Sequence, residues 1–291
     1  MRTLRALGDC KYREVILGIL NMNILYKYCD QLGIVKILGS LELKLPYISE
    51  VNDPLECSAF LYCPNDKSAM KARYFSVLAH RNMLPSADYE QKLENGEIHK
   101  ILENSQRELQ KHWNQQKGCL LSVSKTAQNT VMWAHYTDKH KGVVIGIDFD
   151  SIFPDKNRVR GILMDPVDYS EQRPKVNILT DISLEKFQKV LSTKSVDWSY
   201  EKEFRTIFLV DDLEKLQEQR LSCLRDFRGK QTWFLRLNPD SIREIIFGLY
   251  TEENLKSDIR KLIERPELQH VRLYQAEESE TYTLNLVEIK K

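Results

Sequence analysis

Two glutamates and an arginine occur close together in residues 198–205, which read Trp-Ser-Tyr-Glu-Lys-Glu-Phe-Arg. The apolar run Thr-Ile-Phe-Leu-Val follows directly at residues 206–210 and favours a β-strand. Because side chains alternate along a strand, Glu201, Glu203 and Arg205 would share one face, while the three aromatic residues would form the other face and pack into a core. Carboxylates two residues apart on a strand lie roughly 6.5 to 7 Å from each other, so one small ligand can contact both. The stretch therefore predicts a catalytic or binding site.

A second interpretation of the same residues involves no chemistry. Rows of glutamate and arginine are common on exposed sheet surfaces, and each exposed pair contributes at most about 1 kcal/mol. A helix is also compatible with the stretch, because Glu201 and Arg205 would form an i,i+4 pair and Tyr200 would stack on Phe204. The apolar run that follows favours the strand, and the sequence leaves open whether the row is a site or a surface.

Composition places the chain among ordinary globular proteins. Of its 291 residues, 42% are hydrophobic, which is enough for a buried core. Lysine and arginine total 43 against 42 aspartates and glutamates, so no overall charge would attract nucleic acid or a membrane. A partner of either kind would have to meet a local patch.

The six cysteines are scattered and form no Cys-x-x-Cys pair, so the sequence predicts neither a zinc site nor a disulfide framework. Reduced thiols are typical of the cytosol. The apolar run at residues 15–25 is interrupted by two asparagines, is too short to span a bilayer and lacks a small-residue cleavage site. We therefore predict a cytoplasmic protein with no metal site and no membrane partner.

The hydrophobic pattern predicts a helical extension at residues 1–22 and a single α+β domain at residues 23–291. Residues 86–114 are charged and nearly free of glycine and proline, which predicts one or two exposed helices around Gly96 that form a flap. Further helices are predicted at residues 131–136, 184–191 and 211–224, and after Thr251 as N-cap. Strands are predicted at residues 24–28, 41–45, 119–124, 143–149, 233–237, 245–247, 271–274 and 282–287.

Four short stretches, taken together, resemble one bacterial family. They are Leu-Tyr-Lys-Tyr at residues 25–28, Asn-Asp-Pro-Leu-Glu at 52–56, Met-Trp-Ala-His-Tyr at 132–136 with His-Lys-Gly at 140–142, and the stretch at 198–205. The set resembles the family called domain of unknown function 2971 over residues 24–248. The name of that family implies no activity.

More distantly, the chain resembles ADP-ribosyltransferases, which open with a strand carrying a short aromatic and basic motif and later present a glutamate beside the reacting ribose. Tyr26, Lys27 and Tyr28 would occupy the first place, and Glu201 and Glu203 the second. The chain departs from that family because its first motif has no His or Arg of the usual kind and no Ser-Thr-Ser strand follows. Only the glutamate pair is therefore carried over residue by residue. The resemblance implies a mixed or antiparallel sheet core with helical insertions, and NAD as the substrate.

The resemblance gives the two glutamates separate roles. Glu203 would hold the ribose, and Glu201 would orient or deprotonate the acceptor. Breaking the bond between nicotinamide and ribose builds positive charge on the ribose carbon, and a fixed carboxylate stabilises that charge without a metal.

The same resemblance implies residues that bind NAD. Lys27 or Arg205 would pair with the pyrophosphate, and Tyr28 or Tyr136 would stack on the nicotinamide. Asn52 belongs to an Asn-Asp-Pro turn signal and would stand in the wall of the site. The lysine must then line the same cleft as the glutamate pair, although they lie far apart in the sequence.

The leading hypothesis is an NAD-consuming ADP-ribosyltransferase, of a bacterial toxin or phage-defence type, that modifies a protein or a nucleic acid. A toxin of this kind would need an antitoxin or immunity partner. One alternative is a non-catalytic interaction module whose Glu/Arg row is an ion-pair surface. The other is a metal-dependent nuclease that uses Glu201, Glu203 and Asp148. The sequence contains no Walker loop and no Gly-x-Gly-x-x-Gly motif, which weighs against an NTPase or a dehydrogenase.

Overall fold

The computed structural model describes residues 24–112, 118–152, 165–180 and 183–291. Its strands are β1 (Leu25–Cys29), β2 (Glu42–Leu45), β3 (Phe60–Tyr62), β4 (Gly118–Ser124), β5 (Val143–Ile147), β6 (Asp165–Pro166), β7 (Asp168–Ser170), β8 (Lys175–Asn177), β9 (Thr193–Ser195), β10 (Glu203–Leu209), β11 (Ser222–Phe227), β12 (Lys230–Arg236), β13 (Ile242–Phe247), β14 (Arg272–Glu278) and β15 (Leu284–Ile289). Its helices are α1 (Gln31–Ser40), α2 (Lys67–His80), α3 (Tyr89–Glu94), α4 (Glu97–His112), α5 (Thr130–Tyr136), α6 (Leu184–Leu191), α7 (Val210–Glu218) and α8 (Glu253–Ile263). The helix predicted at residues 1–22 lies outside the described residues.

Eight strands form one sheet in the order β15-β14-β13-β5-β1-β4-β10-β6. Neighbouring strands in this sheet are antiparallel, except that β13 and β14 are parallel. A parallel pair needs a long crossover connection, and α8 lies in that connection. The mixed sheet and its helices confirm the predicted α+β class with a mixed sheet.

The centre of the sheet is its most buried part. Every residue of β5 is buried, as expected for an apolar strand that is covered on both faces. β1 runs antiparallel to β5, with Tyr28 opposite Val144. A Cβ atom added at Gly142 would lie 2.2 Å from the carbonyl oxygen of Cys29, so a larger residue there would push these two strands apart. The strand that carries Lys27 is thus held in the middle of the fold.

A second layer packs on one side of the main sheet. The helices α1 and α8 contact each other, and β11, β12 and β2 form a separate three-stranded antiparallel sheet. Leu43 and Leu45 of β2 and Trp233 of β12 are buried in the same apolar core as α1, α8 and the central strands. This second sheet is therefore fixed to the main sheet by a shared core.

The helices predicted around Gly96 are present as α3 and α4, and Gly96 has the positive φ of +81° that a turn between them requires. They pack on α2, and Ile98 and Leu102 of α4 are buried against Met70 and Tyr74 of α2. The segment predicted as a flap at residues 86–114 thus has an apolar cluster of its own, to which α2 also contributes.

Three local predictions are wrong. The helix predicted at residues 211–224 ends at Glu218, because β11 begins at Ser222 and pairs with β12. Thr251 does not cap α8; its hydroxyl binds the backbone at Gly142 and Gly248 instead, and Glu252 is the N-cap. The third error concerns residues 198–202 and is described with the site. Within the described part of the chain, no helix is both long and apolar enough to cross a membrane.

Candidate functional site

The segment that carries Glu201 and Glu203 is not one continuous strand. A 3-10 helix spans Val196–Glu201, and Lys202 at its end has left-handed backbone angles of φ 45° and ψ 48°. β10 begins only at Glu203. The carbonyl oxygen of Glu201 accepts a hydrogen bond of 2.6 Å from Ser124 Oγ of β4. The strand predicted over residues 198–205 is therefore wrong for residues 198–202. Glu201 ends the 3-10 helix and Glu203 begins β10, and both side chains still reach one site.

The glutamates and Arg205 are buried, which contradicts the alternative of an exposed ion-pair row. Glu201 is 3% exposed, Glu203 is 5% exposed and Arg205 is 3% exposed. β10 lies between β4 and β6 in the main sheet, so neither long edge of its first half is free. These residues therefore do not form the exposed surface that a non-catalytic interaction module would use.

Arg205 binds both carboxylate oxygens of Glu203. Its Nε donates to Glu203 Oε1 at 2.8 Å and its Nη2 donates to Glu203 Oε2 at 2.9 Å, a bidentate pair. Nη2 also pairs with Glu56, and Nη1 donates to the carbonyl oxygen of Leu191 at 2.7 Å. These contacts occupy the guanidinium within the protein. Arg205 therefore orients the carboxylates, which corrects the prediction that it would bind the pyrophosphate.

Lys194 joins the carboxylates on the other side. Its Nζ lies 2.5 Å from Glu201 Oε2, 3.1 Å from Glu203 Oε2 and 3.5 Å from Glu56 Oε2. The ammonium also lies 4.9 Å from the centre of the Trp198 ring, a cation–π contact. We call Glu56, Lys194, Glu201, Glu203 and Arg205 the ion network.

Sequence reasoning did not assign Lys194 or Glu56 to the site. Glu56 had a signal, because it closes the second of the four stretches that carry the family resemblance. Lys194 had none, because it lies in the short strand β9 and reaches Glu201 only through the fold.

The ion network opens into a cavity of about 190 Å³. The residues predicted for the site that line this cavity are Lys27, Tyr28, Asn52, Tyr136, Glu201 and Glu203. The expectation that the lysine and the glutamate pair share one cleft is thus confirmed. None of the lining residues comes from α3 or α4, so the helices predicted as a flap do not border the cavity.

Two polar side chains of the cavity wall differ in how firmly they are held. Tyr136 Oη donates to Glu201 Oε1 at 2.6 Å, and Asn52 also bonds to Tyr136. Lys27 is half-buried, and its Nζ donates to the carbonyl oxygen of Ser122 at 2.9 Å. Because that bond uses one of three ammonium protons, Lys27 can still contact an anion in the cavity.

Aromatic side chains form much of the remaining wall. Tyr28 Oη donates to the carbonyl oxygen of Thr126 at 2.9 Å, and its ring meets the buried Trp133 edge-on at 5.6 Å. Trp198 is half-buried and donates to Asp53 Oδ2 at 3.2 Å, which corrects its predicted place in the core. A flat or apolar ring would find stacking surfaces here.

The pKa values of Glu203 and Glu56 in the ion network, and of Lys27 beside it, shift in different directions. Burial opposes ionisation of Glu203, but Arg205 and Lys194 outweigh it and hold the pKa of that carboxyl below its ordinary value. For Glu56, burial prevails over the same two cations and raises the pKa. Desolvation lowers the pKa of the Lys27 ammonium, while Glu203 and Glu201 act against that shift. The two cations therefore keep Glu203 ionised more firmly than Glu56.

Tyr136 provides a pH test of the site. Burial and then the hydrogen bond to Glu201 raise the pKa of its hydroxyl above the ordinary value of 10.0. Because the pKa of Tyr136 is higher in the folded than in the unfolded protein, its contribution to the unfolding free energy is fully present below pH 10. That contribution is lost as pH rises further, because the unfolded chain releases the proton first. Tyr136→Phe should therefore flatten the fall in unfolding free energy above pH 10 by up to about 1.4 kcal/mol per pH unit. Urea unfolding at several pH values measures this, and equal slopes for both proteins would contradict it.

The nuclease triad predicted from Glu201, Glu203 and Asp148 does not assemble. Asp148 follows β5, and the strand order places β5 three strands from β10, a separation of about 14 Å. Asp148 Oδ2 instead pairs with Arg243 at 2.8 Å. In the part of the chain that the structure describes, no group of three or more His, Cys, Asp or Glu side chains is placed to hold a metal ion.

Comparisons with known proteins find one family and no further relative. Searches of curated proteins and of solved structures return no match. A family model does match, over residues 132–206, a segment that contains Tyr136, Lys194, Glu201 and Arg205. The predicted resemblance is therefore supported over this segment, where the chain matches the family described as Protein of unknown function (DUF2971).

Proposed function

We propose that the protein cleaves the bond between nicotinamide and ribose in NAD and transfers the ADP-ribose to an acceptor. One observation carries the proposal: two buried carboxylates, Glu201 and Glu203, open into a cavity with aromatic walls and a partly free lysine. Because Lys194 Nζ lies 2.5 Å from one and 3.1 Å from the other, their Oε2 atoms lie within about 6 Å of each other. Carboxyl pairs about 5 to 5.5 Å apart serve the related cleavage of sugar bonds with retention.

The charge of the ion network favours the cation that develops when the bond breaks. Three carboxylates and two cations leave one net negative charge when all five groups are ionised. Arg205 and Lys194 hold Glu203 in place before the reaction, so the charge need not reorganise as the ribose carbon becomes positive. Glu201 faces the same cavity and accepts a proton or orients the nucleophile.

The cavity wall offers contacts for the nicotinamide ring and for the pyrophosphate of NAD. The nicotinamide ring stacks on Tyr28 or Tyr136, and Lys27 pairs with the pyrophosphate. A volume of about 190 Å³ is small beside the 300 to 1,000 Å³ of most ligand pockets. The cavity therefore encloses the nicotinamide and its ribose, and the rest of NAD extends beyond it.

Release of nicotinamide from NAD by the purified protein tests the proposal, and Lys27→Met is the variant of choice. Methionine keeps the apolar stem of the lysine and removes the charge, so it should spare the fold. A charge-assisted contact is worth about 1.5 to 3 kcal/mol, so kcat/KM for NAD should fall roughly 10- to 150-fold, mainly through KM. Lys100→Met, at an exposed position of α4, is the matched control and should leave kcat/KM unchanged. No nicotinamide above the blank, or equal kinetics in the Lys27 variant, would contradict the proposal.

A further inference from the structure

A second concave surface adjoins the cavity. It is a groove of about 660 Å³ that shares Lys27, Tyr28 and Tyr136 with the cavity wall. α1, β2 and the hairpin of β11 and β12 form its other sides. A ligand lying in this groove would reach the side chains that border the proposed reaction centre.

The groove is rich in cations. Besides the shared lysine, its lining includes Lys36 of α1, Lys44 of β2, Arg225 of β11 and Arg228 at the hairpin tip, all four exposed. Two carboxylates also line it, against five cations when the shared Lys27 is included. Asp30 caps α1 by accepting from the Gly33 amide, and Glu42 pairs with Arg225 and Arg236. The groove is therefore positive, although the whole chain is nearly neutral.

Lys36 and Arg228 are the cations most available to a ligand. Neither forms an ion pair with any described residue, whereas Lys44 lies 3.7 Å from Glu50 and Arg225 lies 2.6 Å from Glu42. Both flank the half-buried ring of Phe227, at 5.2 and 5.4 Å from its centre, where Lys44 also lies at 5.6 Å. Arg228 is placed there by a tight two-residue turn, in which it and Gly229 both have positive φ.

We infer that the groove binds a single-stranded nucleic acid and that this strand is the acceptor of the ADP-ribose. Cations that follow a backbone, together with an aromatic ring for a base, are the features by which proteins bind single strands. An acidic peptide would use the cations as charges but would not use the planar guanidinium of Arg228 beside the Phe227 ring, on which a base can stack. Lys44 and Arg225 each have one carboxylate partner but remain exposed, so the row of four cations extends beyond the two phosphates of an ADP group and fits a strand with several phosphates.

The acceptor role rests on the proposed function, and its transfer step balances. A nucleophilic oxygen or nitrogen of the strand forms a bond to C1′ of the ribose while the bond from C1′ to nicotinamide breaks. Nicotinamide leaves as a neutral molecule with the bonding electron pair. The proton of the nucleophile passes to Glu201, which borders the cavity, and then to water.

Binding is tested first, without any need for activity. The probe is a fluorescently labelled single strand of about 12 nucleotides, within the usual site sizes, prepared as RNA and as DNA. Anisotropy should show binding that weakens about tenfold or more in Lys36→Glu/Arg228→Glu. The slope of log affinity against log salt should fall in magnitude by about 1.4, because each phosphate contact to a single strand contributes about 0.7. Lys100→Glu/Arg107→Glu, an equal charge change at exposed positions of α4, should bind like the wild type.

Competitors decide what the groove recognises. An unlabelled strand should displace the probe, whereas free ADP and polyglutamate at the same anion concentration should not. Displacement by ADP as effective as that by the strand would assign the groove to NAD itself, and equal displacement by polyglutamate would show recognition of charge alone. Either result overturns the inference, as does equal binding by the groove variant and the wild type.

Transfer is tested second, by incubating the strand with protein and NAD and measuring ADP-ribose on the strand by mass spectrometry. Nicotinamide release without modified strand would overturn the acceptor role and leave the proposed function intact. Strand binding without nicotinamide release would overturn the proposed function and, with it, the acceptor role. Modified strand that disappears in the groove variant, but persists in the control variant, supports both.

Discussion

Replacing Glu201 with glutamine is expected to lower nicotinamide release from NAD by roughly 10² to 10⁴, the usual contribution of a positioned acid–base group. The amide keeps the shape of the side chain and can still accept the hydrogen bond from Tyr136, although its NH2 group then faces Lys194. It loses the negative charge that faces the cavity and the ability to take a proton from a nucleophile. Transfer to an acceptor should therefore fall further than hydrolysis by water.

The control for this experiment is Glu94→Gln. Glu94 makes the same type of ion pair, with Lys67, but it is 65% exposed and lies on α3, away from the cavity. Its replacement should change neither nicotinamide release nor the melting temperature measurably. Rates are compared at a temperature where circular dichroism shows both variants fully folded. Unchanged release in folded Glu201→Gln would remove this residue from any catalytic role.

Glu203→Gln is expected to have the largest effect on stability, lowering the free energy of unfolding by about 3 to 5 kcal/mol. Glu203 is 5% exposed, binds Arg205 through both oxygens and contacts Lys194. An amide in its place removes one negative charge and turns a donor towards a buried cation, which leaves Arg205 partly unpaired. Urea unfolding of the variant measures the loss directly.

A double-mutant cycle shows whether the lost unfolding free energy comes from the interaction between Glu203 and Arg205. Arg205→Met should also destabilise the protein, but the double variant should lose less than the two single losses combined, because each single change strands a buried charge. The exposed pair of Lys67 and Glu94 gives the reference, where Glu94→Gln should cost at most about 1 kcal/mol. Additive losses, or a loss of that small size in Glu203→Gln, would contradict the buried network.

These expectations differ from those for an exposed Glu/Arg row, in which Glu203→Gln would cost at most about 1 kcal/mol. Since Glu203 supports the fold as well as the proposed reaction, its variant cannot separate the two roles. Lys27 and Glu201 separate them better, because Lys27 bonds only a backbone carbonyl among the described residues, and Glu201 lacks the bidentate arginine.

The sequence by itself determined most of the local elements and several of the residues that line the cavity. Apolar alternation and runs placed most strands and the short helices α5 and α6 within a few residues. Charge and a single glycine placed α3 and α4 around Gly96. The motif residues Lys27 and Tyr136 were singled out from short stretches, and both line the cavity with the glutamates.

Only the tertiary structure decided how these parts act together. Burial of Glu201 and Glu203 depends on strands β4 and β6 and on Lys194, which no local pattern links to them. The left-handed turn at Lys202 contradicts the alternation that predicted a continuous strand. Period and propensity are properties of neighbours along the chain, whereas strand order and ion pairing are set by contacts between distant segments. For that reason the sequence was compatible with an exposed ion-pair row, whereas contacts between distant segments bury the same glutamates in the ion network beside the cavity.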